Sequence, residues 1–176
     1  SAVIAADLAV ILQARERGME VHMSTQVNIT NFEAVKFYAR LADVMVLARE
    51  TNLGRVHEIS DKIREQGITG PSGHPVRLEM FVHGALCMAV SGKCYLSLHE
   101  MNSSANRGSC LQTCRRGYTV TDRETGAELA VENAYIMSPK DLKTIHFLNK
   151  ILDAGVSVLK IEGRARAPEY VKPTVE

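Results

Sequence analysis

Four cysteines crowd one stretch of the chain in the pattern Cys87-x6-Cys94-x15-Cys110-x3-Cys114. Thiolates are soft ligands that suit zinc or iron–sulfur clusters. Clustering in a chain long enough to have its own core favours metal or redox use over disulfide stapling. Zinc ribbons present two tight pairs, each about two to four residues apart. Only Cys110-x3-Cys114 is tight here, and the loose Cys87-x6-Cys94 spacing suits a group larger than one ion. Gly84, Gly92 and Gly108 would let the backbone come close to such a group. Four buried free thiols and two disulfides are the alternatives to metal.

Arg115 and Arg116 follow Cys114 directly, Arg107 lies upstream and Tyr118 just after. Guanidinium groups there would offset thiolate charge or hold phosphate, and a solvated basic loop accounts for them equally well. Further polar groups sit where predicted strands end. Ser24, Thr25, Gln26 and Asn28 follow the second strand, and Arg49 with Glu50 the third. Glu79 and His83 lie on or just after the fourth, and Lys160, Glu162 and Arg164 close the last. They could bind a polar ligand or serve only as caps and loop hydrogen bonds. A Cys87–His83 nucleophile pair is conceivable, but four neighbouring thiols favour shared ligation. There is no His-Glu-x-x-His, no Gly-x-Ser-x-Gly elbow and no Walker loop.

The elements that must position these groups alternate. Ala2–Ala6 is a short apolar strand, and Asp7 caps a helix in which Leu8, Ile11, Leu12 and Arg15 recur near the 3.6 period until Gly18. Met19–Ser24 alternates as a strand. Asn31 caps a second helix with Phe32, Val35, Phe37, Tyr38 and Leu41 on its apolar side. Asp43–Ala48 is a strand buried on both faces, and Asn52–Gln66 is a helix striped by Leu53, Val56, Ile59 and Ile63. Val76–Val82 leads to Cys87, and Gly117–Glu132 is an inserted hairpin turning at Arg123–Gly126. Ala134–Met137 (strand), Pro139–Leu152 (helix) and Val156–Ile161 (strand) complete the order.

Six parallel strands with about five crossover helices imply an α/β fold. A closed (β/α)8 barrel takes about 250 residues, so the chain of 176 reads as a TIM-like barrel lacking its first units, with a small doubly wound sheet as the alternative. The opening strand looks like a cut through a larger protein. The expected organisation is one partial domain over 1–176, with a Cys-rich loop and hairpin inserted at 84–132. An open barrel leaves strand edges and core exposed, so self-association into a homo-oligomer is expected.

Composition narrows the classes. With 45% hydrophobic residues and a formal net charge of +1, the chain is neither disordered nor a wholesale polyanion binder. No apolar run reaches the roughly 18 residues of a membrane span, so no membrane partner is expected. Free thiolates and exposed clusters persist poorly in oxidising surroundings, which makes a reducing cytoplasm the expected compartment.

Several of these segments together resemble a known family. Glu79-Met-Phe-Val-His-Gly-Ala-Leu-Cys87 followed by Ser91-Gly-Lys-Cys94-Tyr-Leu-Ser97 closely resembles the signature of the collagenase-like peptidases of uncertain mechanism, family U32. Matching segments outside it are Ser24-Thr-Gln-Val-Asn28, Val46-Leu-Ala-Arg-Glu50, Asn106-Arg-Gly-Ser-Cys110 with Cys114-Arg115, Met137-Ser-Pro-Lys-Asp-Leu142 and Leu159-Lys-Ile-Glu-Gly-Arg164. The resemblance covers nearly the whole chain, in order. The family name implies proteolysis, yet relatives include prephenate-dependent tRNA uridine hydroxylases acting on the wobble base, a hydroxylase of an rRNA cytidine, and 4Fe–4S proteins of ubiquinone synthesis. The Cys110-x3-Cys114 pair followed by Arg115 looks most like the RNA-modifying branch.

What the resemblance implies is a tRNA or rRNA hydroxylase forming 5-hydroxyuridine at the wobble position, with tRNA or rRNA as partner. Cys87, Cys94, Cys110 and Cys114 would ligate a 4Fe–4S cluster, replaceable by zinc, and a prephenate-derived oxygenation factor would take part. Glu79, His83 and Glu162 are the expected catalytic groups. Gln26, Asn28, Arg49, Arg107, Arg115, Arg116, Lys160 and Arg164 are the expected substrate-binding groups, with an extruded base entering at the barrel mouth. Peptidase action, and a non-catalytic metal-binding scaffold for RNA or another partner, are the competing readings.

Overall fold

The computed structural model of the protein describes residues 1–130, 135–163 and 166–176. They fall into two compact units: a sheet unit of Ser1–Ala85 with Asp141–Glu176, and a cysteine unit of Leu86–Lys140. In chain order the elements are β1 (Ala2–Ala5), α1 (Leu8–Glu16), β2 (Glu20–Met23), α2 (Phe32–Tyr38), β3 (Val44–Val46), α3 (Leu53–Glu65) and β4 (Arg77–Gly84). The cysteine unit contributes α4 (Leu96–Met101), β5 (Val120–Thr121) and β6 (Glu128–Leu129). The chain returns to the sheet unit with β7 (Leu142–Lys143), α5 (Leu148–Asp153), β8 (Val156–Ile161) and α6 (Pro168–Val175).

Local chemistry starts the helices where the sequence places them. Asp7 accepts a hydrogen bond from the Val10 N–H at 3.1 Å, Asn31 from Ala34 at 2.9 Å and Asn52 from Arg55 at 2.9 Å. Each cap satisfies an amide the helix itself leaves unpaired. In α3 the stripe Val56, Ile59, Ile63 is buried as expected. Two other expected stripes are narrower than the sequence implies. In α1 only Ile11 and Ala14 are buried, while Leu8 and Leu12 are 59% and 51% exposed. That helix precedes β2 beside β1, which pairs on one side only, so there is little sheet to cover it. In α2, Phe37 is exposed because it sits two positions from buried Val35, on nearly the opposite side of the helix.

Five strands run parallel, in the order β1-β2-β3-β4-β8, and β7 pairs antiparallel with the last two residues of β4. Alternate strand residues Val21, Met23, Met45, Leu47, Leu78 and Val82 form one core with Ile11, Val35, Ile59 and Ile151 from the helices. The register Val46↔Glu79 and Phe81↔Lys160 puts the remaining strand residues on the other face, where charges gather.

The expected α/β fold with a mainly parallel, open sheet holds, but the sheet does not close into a TIM barrel: among the described residues five parallel strands, not six, pair in the order given, and no pair joins β1 to β8. The monotonic strand order is also unlike a doubly wound sheet, whose order reverses. The expected strand Ala134–Met137 is absent over 135–137, which form a turn, and Ala134 lies outside the described residues. No room exists for it beside β4, because β8 takes that place. The helix expected over Pro139–Leu152 begins only at Leu148. Before it, Thr144 gives both its N–H and its hydroxyl to the Val82 carbonyl, at 3.2 and 2.8 Å, tying 142–144 to the end of β4 in extended form. Among the described residues no helix is long and apolar enough to cross a membrane.

The hairpin expected at Gly117–Glu132 is present as β5 and β6, paired antiparallel. Asp122 organises its turn by accepting from the Glu124 and Thr125 amides and the Thr125 hydroxyl. Glu132 lies outside the described residues.

Candidate functional site

In the sheet unit, charges on β2, β4 and β8 form a row on the face away from the helix-packed core, reaching across β3. Glu79 on β4 is 3% exposed, and both its oxygens are taken. Oε2 meets His22 Nδ1 at 2.8 Å and Oε1 meets Lys160 Nζ at 3.0 Å. His22 Nε2 then meets Glu20 Oε1 at 2.8 Å, and the same oxygen accepts from Arg77 Nη2 at 2.7 Å. The hydrogen bond from His22, together with Arg77, holds the Glu20 carboxyl below its ordinary value, while partial burial opposes. Burying Glu79 is tolerable only because cationic and histidine partners replace its water.

Phe81 lies two residues further along the same face, with two cations near its ring. Arg49 Cζ stands 4.6 Å from its ring centroid and Lys160 Nζ 5.3 Å. Arg49 Nη1 is buried without a hydrogen-bond partner. Thr25 Oγ1 and Thr51 Oγ1, in the loops after β2 and β3, are in the same condition. Gln26 is half-buried in the turn after β2, and Asn28 is exposed at its end with left-handed backbone, φ 57°. His83 lies near the end of β4 with its ring 5.7 Å from that of Tyr170, and its carbonyl accepts from the Glu162 amide at 2.8 Å. Gly84 makes room for the Glu162 carbonyl, which a Cβ there would strike. Its expected role beside an inorganic group is therefore replaced by a strand-to-strand contact.

Of the expected sheet-unit groups, Glu79, Lys160 and Arg49 are brought together around Phe81. Arg164 lies outside the described residues. Sequence reasoning did not single out His22, Glu20 or Arg77. Their signal was the alternation Glu20-Val-His22-Met against Arg77-Leu-Glu79-Met, which marks one polar face on two strands.

In the cysteine unit all four thiols are free, so the disulfide alternative does not describe this structure. Nor are they a buried set, since Cys110 is exposed and the other three are half-buried. They share one electrostatic neighbourhood: burial pushes the Cys114 thiol up, charge on Cys110, Cys87 and Cys94 adds to the rise, and Arg115 opposes it. Two sulfurs accept backbone amides, Cys87 Sγ from Ala89 at 3.4 Å and Cys94 Sγ from Leu96 at 3.3 Å. Asn106 fixes the Cys94 amide at 3.2 Å. Ser91 Oγ and Thr113 Oγ1 are buried without partners, one between Cys87 and Cys94 and one beside Cys114 in sequence. Three non-glycine residues, Ser91, Asn102 and Gln112, hold left-handed backbone here. Among the described residues no three His, Cys, Asp or Glu side chains stand close enough to chelate a single ion. In donor type alone, four soft thiols with backbone amides on two of the sulfurs are of the kind that thiolate-ligated metal groups use. Arg107 and Arg116 are exposed, and Arg115 gives Nη2 to the Leu86 carbonyl at 3.2 Å.

The sequence model of Peptidase family U32 matches residues 1–176. The chain is 68% identical over 171 residues to a Porphyromonas gingivalis protein named "Collagenase", covering 97% of this chain and 41% of that one. It is 37% identical over 180 residues to "tRNA hydroxylation protein P1" of Bacillus subtilis, covering 98% and 40%. With a 23S rRNA 5-hydroxycytidine synthase of Escherichia coli it shares 40% identity over 161 residues, covering 88% and 22%. The chain thus spans less than half the length of these relatives. No solved structure matches.

Proposed function

Because this chain belongs to Peptidase family U32, we propose that it is the cluster-bearing part of an RNA-modifying hydroxylase, with a tRNA wobble uridine as the specific target. The cysteine unit carries this reading: its four thiols are free and two accept backbone amides. Relatives named for tRNA and rRNA hydroxylation support it at 37% and 40% identity.

Cys87, Cys94, Cys110 and Cys114 are the residues that would hold a 4Fe–4S cluster, which when bound supplies one-electron redox chemistry. The Ala89 and Leu96 amides act on sulfur, tuning how strongly it donates. Exposed Arg107 and Arg116 take backbone phosphates, which position RNA without reading its sequence. Gln26 and Asn28 offer donors and acceptors for the edge of an unstacked base. His83 and Glu162 are the groups to move a proton at that base. Glu79, with both oxygens engaged, is a positioning residue for Lys160 rather than a free base.

The test uses the full-length protein. Purified without oxygen, it should carry about four iron and four sulfide per chain. RNA from cells lacking the gene should lose a nucleoside one oxygen heavier than its parent, restored by the wild type and not by Cys87→Ala. Unchanged nucleosides with full restoration by Cys87→Ala of any growth defect would overturn the reading. The 68% identity to a protein named collagenase supports a second reading, proteolysis. It requires gelatin cleavage by the pure protein that a single substitution abolishes.

A further inference from the structure

Arg49 is held in an unusual balance of charge. Its guanidinium lies over Phe81, which is 8% exposed, with Nη1 buried and without an acceptor. Lys160, also near that ring, has its charge answered by Glu79, itself shared with His22. Among the described residues no carboxylate pairs with Arg49, so the Phe81 end of the row holds one uncompensated positive charge. A buried N–H without a partner costs as much as a lost hydrogen bond, and more when charged. The neighbouring loops add two further hydroxyls in the same state, Thr25 Oγ1 and Thr51 Oγ1, the latter on a residue 8% exposed. Water alone would satisfy them, but it would not answer the charge.

We infer that Arg49, braced on Phe81 beside Lys160, is the seat of an oxyanion: the carboxylate or phosphate group of a small ligand. A planar guanidinium has parallel N–H bonds that match either group two-to-two. Contact with the Phe81 ring, 4.6 Å from Cζ to centroid, restricts the side chain before the ligand arrives, so less freedom remains to be lost. The half-buried position favours a small molecule over the continuous backbone of a nucleic acid. This inference does not rest on the RNA reading and survives its failure.

The experiment is calorimetric titration of sodium malonate and, separately, sodium phosphate into the full-length protein at constant low ionic strength. Saturable binding of one ion per chain is expected. Arg49→Gln should weaken it about tenfold or more, since a charged hydrogen-bonded pair is lost. Arg49→Lys keeps the charge but not the fork, and should fall between. Arg17→Gln, at an exposed arginine that follows α1 and whose side chain bonds Gln13, should bind as the wild type does. Tighter malonate than phosphate identifies a carboxylate ligand, and the reverse a phosphate ester. The inference is overturned if Arg49→Gln or Arg49→Lys, folded by circular dichroism, binds both ions as well as the wild type. It is equally overturned if the wild type binds neither, as would follow were a carboxylate elsewhere in the full-length chain already paired with Arg49.

Discussion

The two units are ordered by different means. The sheet unit buries an apolar core in which Ile11, Val35, Met45 and Ile59 are wholly inaccessible. The cysteine unit buries no hydrophobic side chain among its described residues: what it buries are Ser91, Ser97 and Thr113. Several of its larger apolar residues, Met88, Val90, Tyr95, Leu98 and Leu111, are exposed by more than a third. Fixing a backbone costs roughly 1–2 kcal/mol per residue, which a core normally offsets. A segment without one needs another source of order, and ligation by four cysteines is a source its sequence supplies. The contrast gives the proposed ligation a structural consequence: if the four cysteines hold a metal group, losing it should loosen this unit and leave the sheet unit intact.

Removing one of the proposed ligands is therefore the strongest way to break the comparison. In the full-length protein kept under nitrogen, Cys87→Ala should let trypsin cut within Leu86–Lys140 about tenfold faster or more, because local unfolding governs access. Peptides of the sheet unit should remain protected. Equal cleavage of both proteins would show that the cysteine unit is held without its thiols.

The next largest effect belongs to the sheet unit's polar face. Lys160→Met leaves the Glu79 carboxylate, with a side chain only 4% exposed, without its cation. Breaking such a pair costs about 3–5 kcal/mol, readable in urea unfolding. Adding Glu79→Gln should recover much of the loss, and a single-variant cost under about 1 kcal/mol would mean that Glu79 finds water instead.

A smaller effect sharpens the contrast in packing. Ile59→Ala should cost about 2–5 kcal/mol, since it opens a cavity in a closed core. Leu98→Ala, at a residue 38% exposed in the cysteine unit, should cost under about 1 kcal/mol. Equal losses in global unfolding would assign the cysteine unit an apolar core after all.

The same division governs how much could be read from sequence. Caps at Asp7, Asn31 and Asn52 and the stripe of α3 were legible because they act over three or four residues. Arg49, Glu79 and Lys160 were legible as polar groups near strand ends, but not as neighbours of one ring. His22 bonds Glu79 from 57 positions away, through a register that no local spacing encodes. Thr144 misled for a similar reason: its attachment to Val82 spans 62 positions and overrides the helical pattern that Ser138 and Pro139 announce. In the cysteine unit the clustering of four thiols was plain, whereas the left-handed turns at Ser91, Asn102 and Gln112 were not, since their residue types do not demand them.

The smallest effect is also the most specific to the sheet unit. Glu20 faces His22 and Arg77, and these lower its carboxyl from the ordinary 4.5. Folding thus favours the ionised form. The stabilisation is complete above about pH 4.5, where the unfolded chain is ionised as well, and is lost as pH falls through the lower value of the folded state. Glu20→Gln removes this titration while keeping an acceptor for Arg77. The wild type should therefore melt higher than Glu20→Gln at neutral pH, with the gap closing on acidification below 4.5. Glu20 is partly exposed, so the gap should also shrink with added salt. A gap that ignores both pH and salt would make the contact one of packing rather than charge, and the polar face would then be held as the core face is.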